Sequence, residues 1–442
     1  MIVFTIIIFL NIIMHAAYRV YYSLKNGTFG LFEFTLFFFS FIYAIVPLFI
    51  LYSRSFVLNF YTLIPGNTYI IESIFILLAY ICLFIGGNSM RKTGWYISTK
   101  PASQHSIFKY AIILFIFALF FWIVYVRLYG GLEYIMKNIS AIRSGYDENK
   151  NYLGAFFLML SKLSFISFLC MLFLQQKHYF KGKSILYNMF FYIIIGGTFL
   201  SILMGGGRSN IILLLIYILL TIYLLRRKIL LSYIVIFVFF ALFIIFFGKT
   251  FLFLIFNEQY DLSFYEVRSL QEQKGFINLL IYEFNHPFLS FSNFLQNNYE
   301  YRYFKDYVIW VLKPMKLLYP NETFYDSISY YNTFLLNSQW ESNIPPGFVA
   351  LGYMNGGVFG LLIQSLLTGR IFKWIDLLIK NSNLENNATT FIIYVISFQC
   401  VMGALNGGDI ALQIQALIPY FILLFIMLVL KKVRLKKRVY IQ

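Results

Sequence analysis

Charge is scarce in this chain: only 12% of its 442 residues are Asp, Glu, Lys or Arg, about half the share of an ordinary soluble domain. Cysteine is scarcer. Cys82, Cys170 and Cys400 each lie in a long apolar run without CxxC spacing, and the four histidines (His15, His105, His178, His286) stand singly. These absences exclude a disulfide framework, a zinc site and haem attachment, so no metal and no cofactor is expected. There is no Asp-x-Asp pair, so the metal-bound nucleotide-sugar chemistry of many soluble glycosyltransferases finds no ligands. Phe247-Gly248-Lys249-Thr250 ends like a phosphate-binding loop, but the position five before Gly248 is Phe243 inside an apolar stretch, which excludes a P-loop. The first apolar run lacks a basic n-region and a small-residue cleavage site. It is expected to be a retained span rather than a signal peptide.

What the chain has is apolar surface. Hydrophobic residues make up 60% and aromatics 21%, more than a soluble fold of this length can cover, so the excess is expected to face lipid. Runs near the roughly 20 residues needed to cross hydrocarbon occur at 1–18, 31–52, 68–88, 107–128, 153–174, 185–204, 211–225, 229–256, 347–368, 388–405 and 410–430. The expected fold class is therefore all-α: a polytopic integral membrane protein with about 11 transmembrane helices. The net charge of +17 then reports orientation rather than nucleic acid, which is not an expected partner. With the basic tail 431–442 in the cytoplasm, alternate short connections on that side hold 21 of the 35 Lys and Arg, as the positive-inside rule requires. An odd span count places the N-terminus outside. The expected organisation is eight helices over 1–256, a large periplasmic loop over 257–346, three helices over 347–430, and the tail. The loop carries ten of the 18 acids. Its apolar stretches at 276–284 and 307–318 are too short to span and read as interfacial helices.

Between the sixth and seventh runs stands Met204-Gly205-Gly206-Gly207-Arg208-Ser209-Asn210. Glycines free successive backbone N–H groups for an anion, Arg208 adds a planar fork of donors, and the following helix start adds its positive dipole end. Gly206, Gly207, Arg208 and Ser209 are thus a candidate diphosphate-binding set; a flexible hairpin whose arginine snorkels to head groups is the alternative. In the long loop, His286 has an unperturbed pKa suited to proton transfer near pH 7. Arg302 stands among Tyr299, Tyr301 and Tyr303, where a guanidinium could grip phosphate and the rings stack on sugars; interfacial anchoring gives the same pattern. Lys162 lies deep in the fifth run, where a lone cation suggests a polar-lined cavity.

The run count, the Gly-Arg-Ser turn at Gly207, Arg208 and Ser209, the long outer loop, and the Tyr-x-Asn-x-Gly pattern at Tyr353, Asn355 and Gly357 together resemble the Wzy-type O-antigen polymerases. An acidic residue common two places before that tyrosine is Leu351 here, so no role carries over at that position. The resemblance implies a membrane glycosyltransferase of the bacterial inner membrane, with its active site facing the periplasm. It moves a growing glycan from one undecaprenyl diphosphate to a new undecaprenyl-diphosphate-linked repeat unit. Donor and acceptor lipids, membrane lipids and a chain-length regulator protein are the implied partners. The donor is already activated, so catalysis needs cations for the departing diphosphate, with Arg268 and Arg302 joining Arg208, and a base for the acceptor hydroxyl. His286 leads as that base; Asp326 and Glu341 are the carboxylate alternatives. A ligase that moves the same chain onto lipid A core, and a polysaccharide flippase, are the alternative functions.

Overall fold

An apolar run in hydrocarbon can satisfy its backbone polar groups by forming a helix, in which every N–H finds a partner within the segment. The computed structural model of this chain is built from such helices. It describes residues 2–52, 66–90, 92–99, 102–144, 151–204, 208–226, 284–297, 299–312, 327–337, 344–382, 387–429 and 433–437, with scattered residues between 232 and 244. In chain order the elements are α1 (Ile2–Lys25), α2 (Leu31–Ser40), a π-helical turn (Phe41–Ile45), α3 (Val46–Tyr52), α4 (Gly66–Ser89), β1 (Trp95–Thr99), α5 (Gln104–Leu128), α6 (Leu132–Ser144), α7 (Tyr152–Ser161), α8 (Leu163–Gln176), α9 (Ile185–Met204) and α10 (Arg208–Arg226). After them come α11 (His286–Asn297), α12 (Lys305–Leu312), α13 (Ile328–Asn337), α14 (Phe348–Lys380), α15 (Ala388–Met402), a second π-helical turn (Gly403–Gly407), α16 (Ile410–Val429) and β2 (Val433–Lys437).

Eight helical segments among the described residues are long and apolar enough to cross a membrane: Ile2–Lys25, Leu31–Leu51, Thr68–Ser89, Gln104–Leu128, Leu153–Gln176, Ile185–Ile202, Phe348–Lys380 and Ala388–Gly407. They coincide with eight of the eleven expected runs. The runs at 211–225 and 410–430 form α10 and α16, whose described apolar parts are shorter, and the run at 229–256 lies almost wholly outside the described residues. The chain has the helical, multi-pass character of a membrane protein, with eight rather than eleven spans established by length and composition.

The chain packs as two units, one of Met1–Gly94, Ser269–Leu378 and Ser397–Gln415, the other of Trp95–Arg268, Ile379–Ile396 and Ala416–Gln442. In the first, α1, α2 and α4 bury Phe9, Phe32, Phe39 and Tyr43. A Cβ on Gly86 of α4 would strike the Leu366 carbonyl of α14, and one on Gly369 would strike the Leu83 carbonyl of α4; small residues let these two helices approach main chain to main chain. α14 is continuous in sequence but not in space. It breaks at Gly356 and at Gly357, where φ is 59° and ψ −146°, a conformation that favours glycine. The chain then doubles back. Gln364 Nε2 donates to the Phe348 carbonyl at 2.8 Å, although sixteen residues of straight helix would hold them about 24 Å apart. The limbs touch so closely that a Cβ on Gly360 would sit 2.5 Å from the Gly352 oxygen.

The expected interfacial helix at 276–284 lies outside the described residues, and α12 covers only the first part of 307–318. Within 257–346, α11 is a buried helix: Pro287, Phe288, Leu289, Ser290, Phe291, Ser292 and Phe294 are all buried. A short amphipathic helix has the same period whether its apolar face meets lipid or protein, so sequence could not separate the two.

In the second unit, Ser103 caps α5 by accepting from the Ser106 amide at 3.1 Å, and Asn151 caps α7 through the Gly154 amide at 2.9 Å. The basic tail 431–442 supplies a strand, Val433–Lys437. β2 pairs antiparallel with β1, Tyr96 opposite Lys436 and Ser98 opposite Arg434, so the all-α expectation misses one two-stranded ribbon.

Candidate functional site

The polar groups of the first unit gather where the two π-helical turns meet. A π turn withdraws carbonyls from the regular i to i−4 ladder and is frequent at functional sites. Here three successive carbonyls of the Gly403–Gly407 turn are taken by three different elements. The Tyr43 hydroxyl, itself on the first π turn, donates to Leu405 O at 2.8 Å, His286 Nε2 lies 3.3 Å from Asn406 O, and the Gly347 amide donates to Gly407 O at 3.0 Å. The same Tyr43 oxygen accepts from the Phe348 amide at 2.5 Å, which ties this knot to the first limb of the α14 hairpin. Asn406 Oδ1 is buried and has no hydrogen-bond partner among the described residues.

His286 opens α11. A carbonyl can only accept, so its contact with Asn406 O makes Nε2 the donating nitrogen. Pro287 behind it packs where a Cβ on Gly347 would fall, which limits the backbone of the histidine.

α13 carries the network onward. At its start Ser329 donates from its hydroxyl at 2.5 Å and its amide at 3.2 Å to Asp409 Oδ2, and Asp409 Oδ1 in turn accepts the Leu412 amide of α16 at 2.9 Å. One carboxylate thereby caps two helix starts, where a negative charge is favoured. Asn332 donates to Ser290 Oγ and to Ile344 O, both at 2.9 Å. Tyr331 lies under Arg302, whose guanidinium carbon is 4.4 Å from the ring centre. Burial pushes the Tyr331 hydroxyl above its ordinary pKa, and the Arg302 charge pulls the opposite way.

Arg302 is more engaged than its sequence neighbourhood suggests. Its Nε and Nη2 donate to the two oxygens of Asp306 at 2.7 and 2.8 Å, its amide donates to Met354 O at 2.8 Å, and Asp306 Oδ2 also accepts from Asn355 Nδ2 at 3.0 Å. Most of the fork therefore fastens the 299–312 stretch to the hairpin tip, and Nη1 is the donor nitrogen left outside that bond. Beside the tip, Tyr301, Tyr353, Phe291, Phe294 and Phe75 form a ring-on-ring cluster with centroids 5.5 to 6.3 Å apart. Below it Glu72 of α4 is fully buried and accepts a hydrogen bond from Ser292.

Of the residues singled out from sequence, His286 and Arg302 thus stand in one unit, linked through α11, α13 and the hairpin. Gly206, Gly207, Arg268, Asp326 and Glu341 lie outside the described residues, and Arg208 and Ser209 are described only as the first turn of α10. Lys162 sits at the break between α7 and α8. One turn on, a cavity of about 40 Å³ is lined by Ser164, Ser201, Trp122, Phe115 and Leu200, too small for a sugar. Sequence reading missed Tyr43, Glu72, Asn406 and Asp409. Glu72, an ionisable residue inside an apolar run, carried a usable signal; Tyr43 carried none. No cluster of three or more His, Cys, Asp or Glu able to hold a metal occurs among the described residues. No protein-family model, curated protein or solved structure matches the chain.

Proposed function

We propose that this protein is a polymerase of surface polysaccharide, transferring a growing glycan from undecaprenyl diphosphate to the next lipid-linked repeat unit. The observation that carries the reading is the junction of the Tyr353-Asn355-Gly357 hairpin tip with Arg302 and Asp306, beside the exposed Tyr301. The same unit holds Tyr301, Arg302 and His286, side chains of the kinds that stack on a sugar, meet a phosphate and take a proton. In this reading the acceptor hydroxyl loses its proton to His286 Nδ1 as its oxygen forms the new bond to the donor sugar. The bond to the diphosphate breaks, and the leaving charge is met by Arg302 Nη1, the donor outside the bond to Asp306.

Deletion of the gene followed by gel analysis of surface polysaccharide tests the reading. Loss of a polymerase leaves a single repeat unit on each core, loss of a ligase leaves none, and loss of a flippase starves both. The expected pattern is the single unit, restored to a ladder by the intact gene; an unaltered ladder in the deletion strain removes the proposal.

A further inference from the structure

One end of the second unit carries cations and, among the described residues, no carboxylate. It is assembled from the start of α5, the turn between α8 and α9, the end of α10, the last turn of α14 and the β1–β2 ribbon. His105 at the start of α5 meets the Tyr179 hydroxyl at 3.2 Å, and Arg226 at the end of α10 donates to Gln176 of α8 at 2.8 Å. The ribbon is fastened by the Ile97 amide to Ser382 Oγ at 2.8 Å and by Asn381 Nδ2 to Trp95 O at 3.3 Å. Exposed on this end are Lys181, Lys183, Arg226, Lys380, Arg434 and Lys436. The α6 side of the unit is different: there Glu133 and Lys137 pair at 2.8 Å, and that hydrogen bond holds the carboxyl below its usual pKa.

The ribbon concentrates the charge. Cross-strand partners share a face, so the register puts Tyr96 and Lys436 beside Ser98 and Arg434 on one side. Both cations are exposed and neither has an ion-pair partner among the described residues. Short links hold the ribbon close to the end of α16 and to the start of α5, a helix long and apolar enough to cross a membrane. β2 begins four residues after the end of α16, β1 ends five residues before the start of α5, and fully extended links of that length reach at most about 18 Å. Trp95, 41% exposed, is the residue type that settles at the head-group level.

We propose that this ribbon is a binding surface for acidic phospholipid head groups, with Arg434 and Lys436 taking the phosphate and fixing the C-terminal segment to the leaflet. The partner follows from the charge and the depth: a two-cation face held at head-group level meets phosphodiesters before any other anion. Each basic residue at an anionic surface contributes about 1 kcal/mol, roughly fivefold in affinity.

The test uses the full-length protein, delipidated in neutral detergent, with native mass spectrometry counting bound phosphatidylglycerol against phosphatidylcholine. Wild type should favour phosphatidylglycerol, and Arg434→Gln with Lys436→Gln should weaken that preference by about 25-fold, whereas Arg434→Lys with Lys436→Arg should keep most of it. Equal preference in wild type and the Gln variant overturns the proposal. So does displacement of the lipid by inorganic phosphate at equal concentration, which would make the surface a free-anion site. If the Gln variant loses helical circular dichroism, the charge-swapped variant decides: retained preference in it supports the surface, and lost preference overturns it.

Discussion

The two ends of α2 are both polar and are built on opposite plans. At its start, Glu33 and the fully buried Asp376 are met by Lys373 at 3.6 and 3.8 Å, with Arg19 3.6 Å from Glu33, and Asp376 also accepts the Leu31 amide at 3.3 Å. About 18 Å further along, Tyr43 and its π turn meet His286, Gly347 and the carbonyls of Gly403–Gly407, with no carboxylate, Lys or Arg among them. A group removed from the charged end strands an ion in a place where ions are costly. At the π-turn end, a hydrogen bond to a carbonyl can be exchanged for another without stranding a carboxylate or an ammonium. The first plan suits a brace and the second suits a site that has to trade partners.

The sharpest way to break this comparison is Asp376→Ala, which leaves Lys373 one carboxylate short. Removing one partner of a buried pair costs about 3 to 5 kcal/mol, so the unfolding midpoint in detergent should fall steeply; a loss under about 1 kcal/mol would mean the charged end is no brace. His286→Ala should do the reverse. Turnover of purified lipid-linked repeat units should drop by at least about 10², the scale of a general base, with the unfolding midpoint little moved, and a rate loss below tenfold would take His286 out of the mechanism. Tyr43→Phe falls between the two. It deprives Leu405 O and the Phe348 amide of their partner, at about 1 to 3 kcal/mol for a buried polar group left unpaired, and slower turnover accompanying that loss would show that the knot positions His286. Gly357→Ala should cost about 1 to 3 kcal/mol, because φ 59° with ψ −146° is a conformation essentially confined to glycine, seen as a lower melting temperature. A melting temperature equal to wild type would mean that the hairpin tip does not hold this φ in solution.

Much of the fold could be read in advance because it rests on length and composition. Apolar runs have to become helices in lipid, and eight of eleven appear as membrane-length segments. The site was less legible. Arg302 was visible as a cation among tyrosines, but its bidentate bond to Asp306 depends on one helical turn of spacing together with the hairpin tip beside it, and only the first is written in the sequence. The Tyr353-Asn355-Gly357 pattern gave a resemblance; its physical content, a helix that folds back on itself, rests on Gly352 and Gly360 meeting main chain to main chain. Asp306 looked like one more acid of a solvated loop and is buried at 1% exposure.

Sequence by itself determined that the chain is helical and built for a membrane, and where its cations concentrate, because hydropathy and charge are properties of single residues summed along short windows. Tertiary structure decided that α11 is core rather than surface, that a basic tail pairs as a strand, and that Tyr43, His286 and Gly347 converge on three neighbouring carbonyls of one π turn. Those outcomes depend on which group stands opposite a freed carbonyl across 60 to 360 residues of chain, and nothing local in the sequence encodes that pairing.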